Sequence, residues 1–180
     1  MCGISGIFSS QRQIEESLKK MSLSLSHRGP DHSAIYIGNN FGIAHNRLSI
    51  IDLSDQANQP MADNSERYLI SFNGEIFNFK ELRNDLTNIG CHFKTQSDTE
   101  VLLEGYLKNG EDFFNKIRGF FAICIYDKKE DVAIFSRDIF GKKPLYYHAN
   151  KEEFIFGSEI KSILEIIKPD ISVDFSSLSH

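Results

Sequence analysis

A cysteine directly follows the first methionine in the opening segment MCGISGIF. Removal of Met1 would leave the Cys2 thiol and a free α-amine on the same residue. A thiol attacks only as thiolate, and its ordinary pKa of about 8.5 means that it needs a base. The α-amine, with a pKa of about 7.7–8.0, could take that proton directly or through a water. Cys2 could therefore be nucleophile and general base at once, although many proteins simply carry a small residue at this position.

The segment FNGEIFN could supply the donors that an acyl-transfer reaction needs. Asn73 offers a side-chain amide and Gly74 an open backbone N–H where a predicted strand ends. Two such donors, if preorganised, stabilise an oxyanion by roughly 3–4 kcal/mol each. Asn-Gly is also the commonest hairpin signal, but the next segment is predicted to be a helix. The local sequence leaves both interpretations open.

Two charged residues could recognise the ends of an α-amino acid. Arg47 closes a predicted strand among apolar neighbours, and its guanidinium could bind a carboxylate in bidentate geometry. Asp98 stands at a predicted helix start, where its carboxylate could bind an ammonium. A surface salt bridge and simple helix capping are the respective alternatives.

The other polar groups predict structural roles. His45 is expected to be a hydrogen-bonded core histidine, and the thiols of Cys91 and Cys124 are expected to be inert. The segment SHRGPD predicts a structured loop or a lid over the site. No cluster has the spacing of metal ligands, so we expect no metal site.

Composition excludes several classes of protein. The chain has 180 residues, 41% of them hydrophobic, which fits one globular domain. Its 25 acidic residues outnumber 20 basic ones, and no basic stripe favours nucleic acid or an anionic membrane. The longest apolar run, GFFAICIY, is too short to span a bilayer. With no signal peptide visible and an odd number of cysteines, we expect a reduced, cytoplasmic protein.

Hairpins and amphipathic helices must position these residues. The patterns predict one strand at 3–8 and hairpins joining 33–38 to 41–46, 120–127 to 131–138, and 144–149 to 153–158. A further strand at 67–74 is expected to stop at Asn73-Gly74. Helices are predicted for the segments containing Ile14–Leu25, Phe79–Ile89, Asp98–Leu107 and Ser158–Ile167. The elements predict a layered α+β domain, with two sheets between helical layers.

The segments together resemble the N-terminal glutaminase domain of class II glutamine amidotransferases, specifically that of glutamine-hydrolysing asparagine synthetases. The resemblance extends in order along nearly the whole chain, through MCGISGIF, HRGPD, AHNRLSIIDLS, FNGEIFNFKELR, SDTEVLL, IRGFFAICIYD, FSRDIFGKKPLYY and FGSEIKSIL. It implies an N-terminal nucleophile hydrolase-like four-layer αββα sandwich with mostly antiparallel sheets.

The resemblance also implies a role for each site residue. Cys2 would attack the side-chain amide of L-glutamine and form a γ-glutamyl thioester, which water resolves to glutamate. Asn73 and Gly74 would form the oxyanion hole, Arg47 would bind the α-carboxylate and Asp98 the α-ammonium. The glutamine pocket would be completed by Leu48, Ser49, Ile50, Ile51 and Glu75.

The length of the chain sets the expected domain plan. Residues 1–168 would form the amidotransferase domain, and residues 169–180 the start of a linker to a missing synthetase domain. That domain would use ATP and Mg²⁺ to make asparagine from aspartate, whereas the present domain would need no cofactor. A homodimer is possible. A non-catalytic docking domain, an amidotransferase half for another carboxylate acceptor, and a hydrolase of another amide are the alternatives.

Overall fold

The computed structural model describes residues 1–169. In chain order, its strands are β1 (Gly3–Ser9), β2 (His32–Ile37), β3 (Phe41–Arg47), β4 (Met61–Ala62), β5 (Tyr68–Ile76), β6 (Gly119–Asp127), β7 (Val132–Arg137), β8 (Tyr146–Ala149) and β9 (Glu153–Gly157). Its α-helices are α1 (Ile14–Ser24), α2 (Phe79–Asn88), α3 (Asp98–Asn109) and α4 (Ile160–Leu164). The three predicted hairpins are confirmed as β2–β3, β6–β7 and β8–β9.

The strands form two antiparallel sheets. One has the order β2-β3-β1-β9-β8 and the other the order β4-β5-β6-β7. The N-terminal strand β1 lies in the middle of the first sheet, between β3 and β9. The residue before β1 is therefore held at one end of a central strand rather than on a free terminus.

Three apolar clusters define four layers. Leu18 and Met21 of α1 pack with Ile163 of α4 on the outer face of the five-stranded sheet. The inner faces of the two sheets meet through a second cluster that includes Phe41 and Phe156. A third cluster places α2 and α3 on the outer face of the four-stranded sheet. The αββα order is confirmed, because each sheet is apolar on both faces and needs cover on both.

Strand β6 shows this two-sided burial directly. Ile123 faces the helical layer and Cys124 faces the opposite sheet, and both are fully buried. A strand that is covered on both faces has no polar side, which explains the continuous apolar run FFAICIY.

Two predicted boundaries were wrong. Strand β5 does not stop at Asn73-Gly74 but pairs with β6 as far as Ile76, opposite Gly119. The last helix ends at Leu164, after which a hydrogen-bonded turn carries Ile166 and Ile167 back onto the α1 layer. The α2 helix ends at Asn88 as predicted to within one residue, Ile89 is 61% exposed, and Gly90 follows with a φ of 89°, the left-handed conformation that ends helices.

From residue 170 onward, the predicted linker at 169–180 lies outside the described residues. No helix within residues 1–169 is long and apolar enough to cross a membrane.

Candidate active site

Cys2 lies where β1 begins, beside the end of β3. The antiparallel register pairs Gly3 with Asn46, which brings Cys2 next to the chain leaving β3. The Leu48 N–H donates to Cys2 Sγ at 3.4 Å. On the other side, Arg28 Nε donates to the Cys2 carbonyl at 2.9 Å. Cys2 is therefore held by Leu48 at its thiol and by Arg28 at its carbonyl.

Burial raises the pKa of the Cys2 thiol above its ordinary value. The Leu48 N–H, the N-terminal charge and Arg47 act in the opposite direction but do not overcome the loss of solvation. The protonated thiol thus dominates at neutral pH. A nucleophilic role would require a base within reach, which is the function that a free α-amine on Cys2 could supply.

The outer edge of β5 forms the floor of the cavity at Cys2. The Phe77 N–H donates to the Arg118 carbonyl at 2.7 Å and continues the β5–β6 ladder, so the odd-numbered residues of β5 point their N–H groups towards β6. The even-numbered residues therefore point their N–H groups to the opposite edge of β5. There, Phe72 N donates to Gln59 Oε1 at 2.6 Å and Ile76 N donates to Asp98 Oδ2 at 3.1 Å. Gly74 lies between them, past the end of the short strand β4, and lines the cavity.

Asn73 carries a buried amide without a partner. Its side chain is 1% exposed and lines the same cavity as Cys2. Within residues 1–169 neither Nδ2 nor Oδ1 makes a hydrogen bond. Such a group costs about 1–3 kcal/mol when left unpaired, so this amide is available to a ligand.

Gly74 is required by a close approach. A Cβ at this position would collide with the carbonyl oxygen of Phe120 on the paired strand β6.

Arg47 is a buried guanidinium fixed by the loop that follows β3. It is 6% exposed, and Nη1 donates to the Ser54 carbonyl at 2.9 Å and to Asn58 Oδ1 at 2.7 Å. Nη2 donates to the Asp52 carbonyl. In the described part of the chain, Nε makes no hydrogen bond, so one edge of the guanidinium is open for a carboxylate.

Asp98 is the first residue of α3, and its carboxylate is 5% exposed. The capping alternative for Asp98 is wrong, because Ser97 caps the helix by accepting from Glu100 N at 3.2 Å. The Glu100 carboxylate in turn accepts from Thr95 N at 2.7 Å, just before the cap residue. The Asp98 side chain is thereby free to face the cavity. Burial raises its pKa to about 6, partly offset by the N–H group of Ile76.

Most of the predicted site residues line one cavity. These are Cys2, Arg47, Leu48, Ile50, Ile51, Asn73, Gly74, Glu75 and Asp98. Ser49 lies outside this lining, and its N–H donates to Asp31 Oδ2 at 2.7 Å instead. The loop from Ser26 to Asp31 thus serves to support both Cys2 and the segment after Arg47.

The cavity also contains residues that sequence reasoning missed. Gln59, Thr99, Asp52 and Lys143 line it, and Lys143 Nζ lies 2.9 Å from Met1 Sδ. Outside the cavity, Arg28 Nη1 donates to Glu159 Oε1 at 2.9 Å. The pairing of Ser97 with Glu100, three residues apart, was the signal that could have placed the cap correctly.

His45 is fully buried between the sheets, where Nε2 lies 3.1 Å from the Phe72 carbonyl. Loss of solvation lowers its pKa to about 4, so the ring is neutral at pH 7. The expected hydrogen-bonded core histidine is confirmed.

The chain has the N-terminal nucleophile hydrolase-like four-layer αββα fold. Two solved structures share this fold at 20% identity. Glutamine phosphoribosylpyrophosphate amidotransferase from B. subtilis, complexed with ADP and GMP, aligns with a TM-score of 0.78, covering 90% of this chain and 43% of that chain. An allosteric regulatory enzyme of purine biosynthesis aligns with a TM-score of 0.80, covering 91% of this chain and 43% of that chain.

The chain belongs to the glutamine amidotransferase domain family, which matches residues 1–180. Asparagine synthetase [glutamine-hydrolyzing] 1 of Bacillus subtilis is 40% identical, with 100% of this chain and 29% of the relative covered. A putative asparagine synthetase [glutamine-hydrolyzing] 2 of Methanocaldococcus jannaschii is 39% identical, with 92% of this chain and 35% of the relative covered. Asparagine synthetase B [glutamine-hydrolyzing] of Escherichia coli is 36% identical, with 93% of this chain and 31% of the relative covered. The chain spans about a third of the length of these relatives.

Proposed function

We propose that this domain hydrolyses the side-chain amide of L-glutamine to glutamate and ammonia. The observation that carries the proposal is the shared cavity of Cys2 and Asn73, in which a thiol meets a buried amide without a partner. A nucleophile beside preorganised donors is the arrangement that acyl transfer requires.

The chemistry would start with removal of Met1. The α-amine of Cys2 takes the thiol proton, and Sγ bonds to the amide carbon of glutamine. The Asn73 amide and the Gly74 N–H bind the resulting oxyanion. Its collapse breaks the C–N bond, and the ammonium returns the proton to the leaving ammonia. Water then attacks the thioester, which releases glutamate and restores the thiol.

The opposite charges in the cavity would select an α-amino acid. The open edge of Arg47 suits the α-carboxylate, because its other donors already bind main-chain and Asn58 oxygens. The buried carboxylate of Asp98 suits the α-ammonium. The backbone of Leu48 to Ile51 and Glu75 would complete the pocket.

The ammonia would serve a synthetase domain in a longer chain. The relatives' names and lengths support ATP-dependent asparagine synthesis as the activity of the whole protein, with ATP and Mg²⁺ bound outside this domain. Two exposed apolar residues would suit contact with such a domain. The loop after β7 exposes Ile139 (91%) and Phe140 (85%). Asp138 fixes this loop by accepting main-chain N–H groups from Lys142 and Lys143.

Intact mass and ammonia release, measured on the same sample, test the proposal. We expect protein that lacks Met1 to release ammonia from glutamine, and Cys2→Ala or acylation of the α-amine to abolish release. Arg47→Ala and Asp98→Asn should raise the KM for glutamine at least tenfold, as each loses a charge-assisted contact. Lys129→Ala, on an exposed turn, is the control. Processed protein that binds glutamine but releases no ammonia would contradict the proposal.

A further inference from the structure

We propose that Gln59 is a positioning residue that fixes the spacing between strand β5, which carries Asn73 and Gly74, and helix α3, which carries Asp98. The inference rests on the proposed function and adds a residue that acts through the groups on either side of it.

Gln59 replaces a missing stretch of sheet. Strand β4 pairs Met61 with Ile70 and Ala62 with Leu69, and the same register continued would set Gln59 opposite Phe72. Ser71 points its N–H to β6, so the next ladder bond on this edge falls at Phe72 N, beyond the last paired residue of β4. The side chain of Gln59 takes over, and Oε1 accepts from Phe72 N at 2.6 Å. The strand edge is thus held at the residue next to Asn73.

The other end of the same amide holds the helix. Gln59 Nε2 donates to Thr99 Oγ1 at 3.1 Å, and both side chains are at least 95% buried. Thr99 directly follows Asp98 in the first turn of α3. A single planar amide therefore connects the strand of the oxyanion donors to the helix of the ammonium-binding carboxylate.

This bridge remains in place when substrate binds. Within residues 1–169, the other hydrogen bond between β5 and the start of α3 runs from Ile76 N to Asp98 Oδ2, beside the apolar packing of Val101 and Leu102. An incoming ammonium competes with Ile76 N for that carboxylate, whereas it does not compete for the hydrogen bond between Gln59 and Thr99. The Phe72 carbonyl is anchored separately by His45. Gln59 is therefore the connection that keeps the two halves of the pocket in register during turnover.

The test uses Gln59→Leu and Thr99→Val, which cut the bridge at its two ends, with Thr99→Ser as the conservative variant. Gln56→Leu is the matched control, as Gln56 is an exposed glutamine three residues away. We expect both cuts to lower kcat/KM for glutamine by roughly tenfold or more, because small displacements of reacting groups are costly. Thr99→Ser and Gln56→Leu should remain within about twofold of the parent, the scale of a surface change.

Two further measurements separate positioning from mere folding stability. In the double variant Gln59→Leu/Thr99→Val, kcat/KM should be no lower than in Gln59→Leu alone, because one bridge can be cut only once. Glutamine affinity, measured by calorimetry in a Cys2→Ala background, should fall in Gln59→Leu and Thr99→Val and stay within about twofold of the parent in Thr99→Ser and Gln56→Leu. A double variant whose loss is the product of the two single losses, or an unchanged glutamine affinity in folded Gln59→Leu, would overturn the inference.

The failure of this inference is distinct from failure of the proposed function. A parent protein that lacks Met1 and releases no ammonia contradicts glutaminase activity, and the calorimetric comparison then decides the role of Gln59 alone. A parent that is active, with Gln59→Leu equally active, contradicts the positioning role alone. Absence of glutamine binding in the Cys2→Ala parent contradicts both.

Discussion

Asn73 illustrates how a single residue can be costly for stability and necessary for function. Its amide is buried without a partner, whereas the equally buried amide of Asn46 bonds to Ser22 and Ser33. We expect Asn73→Leu to lower kcat by about 10²–10³, the cost of one oxyanion donor. Its free energy of unfolding should stay level or rise by up to about 1–3 kcal/mol, because an unpaired polar group is removed.

Asn46→Leu is the matched control for this prediction, and should lower the free energy of unfolding by about 1–3 kcal/mol, because Ser22 and Ser33 each lose a hydrogen bond and keep only the one between them. Ammonia release and chemical denaturation measure the two effects. If Asn73→Leu is as destabilised as Asn46→Leu, the Asn73 amide has a structural partner and is not reserved for a ligand.

At the scale of elements, the start of α3 determines the charge of the binding carboxylate. Because Ser97 caps the helix, Asp98 is buried in the cavity with a pKa of about 6. An ammonium binds the ionised form, so glutamine affinity should be constant above pH 6 and fall about tenfold per pH unit below it. Calorimetry in the Cys2→Ala background excludes titration of the nucleophile.

Asp98→Asn should bind glutamine weakly at every pH and show no break near 6. A parent whose affinity is flat down to pH 4.5 would assign the ammonium contact to another group. Glu75, which is exposed on the neighbouring strand, is then the next residue to test.

The same elements show what the sequence can and cannot predict. The hairpins were predictable because short polar turns separate segments such as FFAICIYD and DVAIFSRD. The end of β5 was mispredicted because Asn-Gly is read as a turn, whereas Gly74 is required by the approach of Phe120. Gln59 was missed for a deeper reason. A side chain that replaces a backbone partner leaves no periodicity or motif, and only the tertiary fold brings Phe72 and Thr99 to its two ends.

At the scale of the whole molecule, His45 is a polar connection between the two sheets. It extends from β3 to the Phe72 carbonyl of β5 across the interface between the sheets. Loss of solvation, with Arg47 and His32 nearby, lowers its pKa to about 4 in the folded chain. The unfolded chain titrates at about 6.5 and therefore binds more protons between these values. The folded sandwich should lose stability as the pH falls from 6.5 to 4.

Asp98 opposes this trend and must be removed from the measurement. Its folded pKa of about 6 lies above that of the unfolded chain, so it stabilises the folded state as the pH falls. In an Asp98→Asn background, we expect His45 to account for a loss of about 3 kcal/mol in unfolding free energy between pH 6.5 and 4. His45→Gln keeps a donor for the Phe72 carbonyl but cannot titrate. The pair of proteins, compared by urea denaturation across this range, should diverge at pH 6.5 and converge by pH 4. Parallel pH curves would mean that His45 is solvated in the folded chain, and that the sheets are not joined by a neutral imidazole.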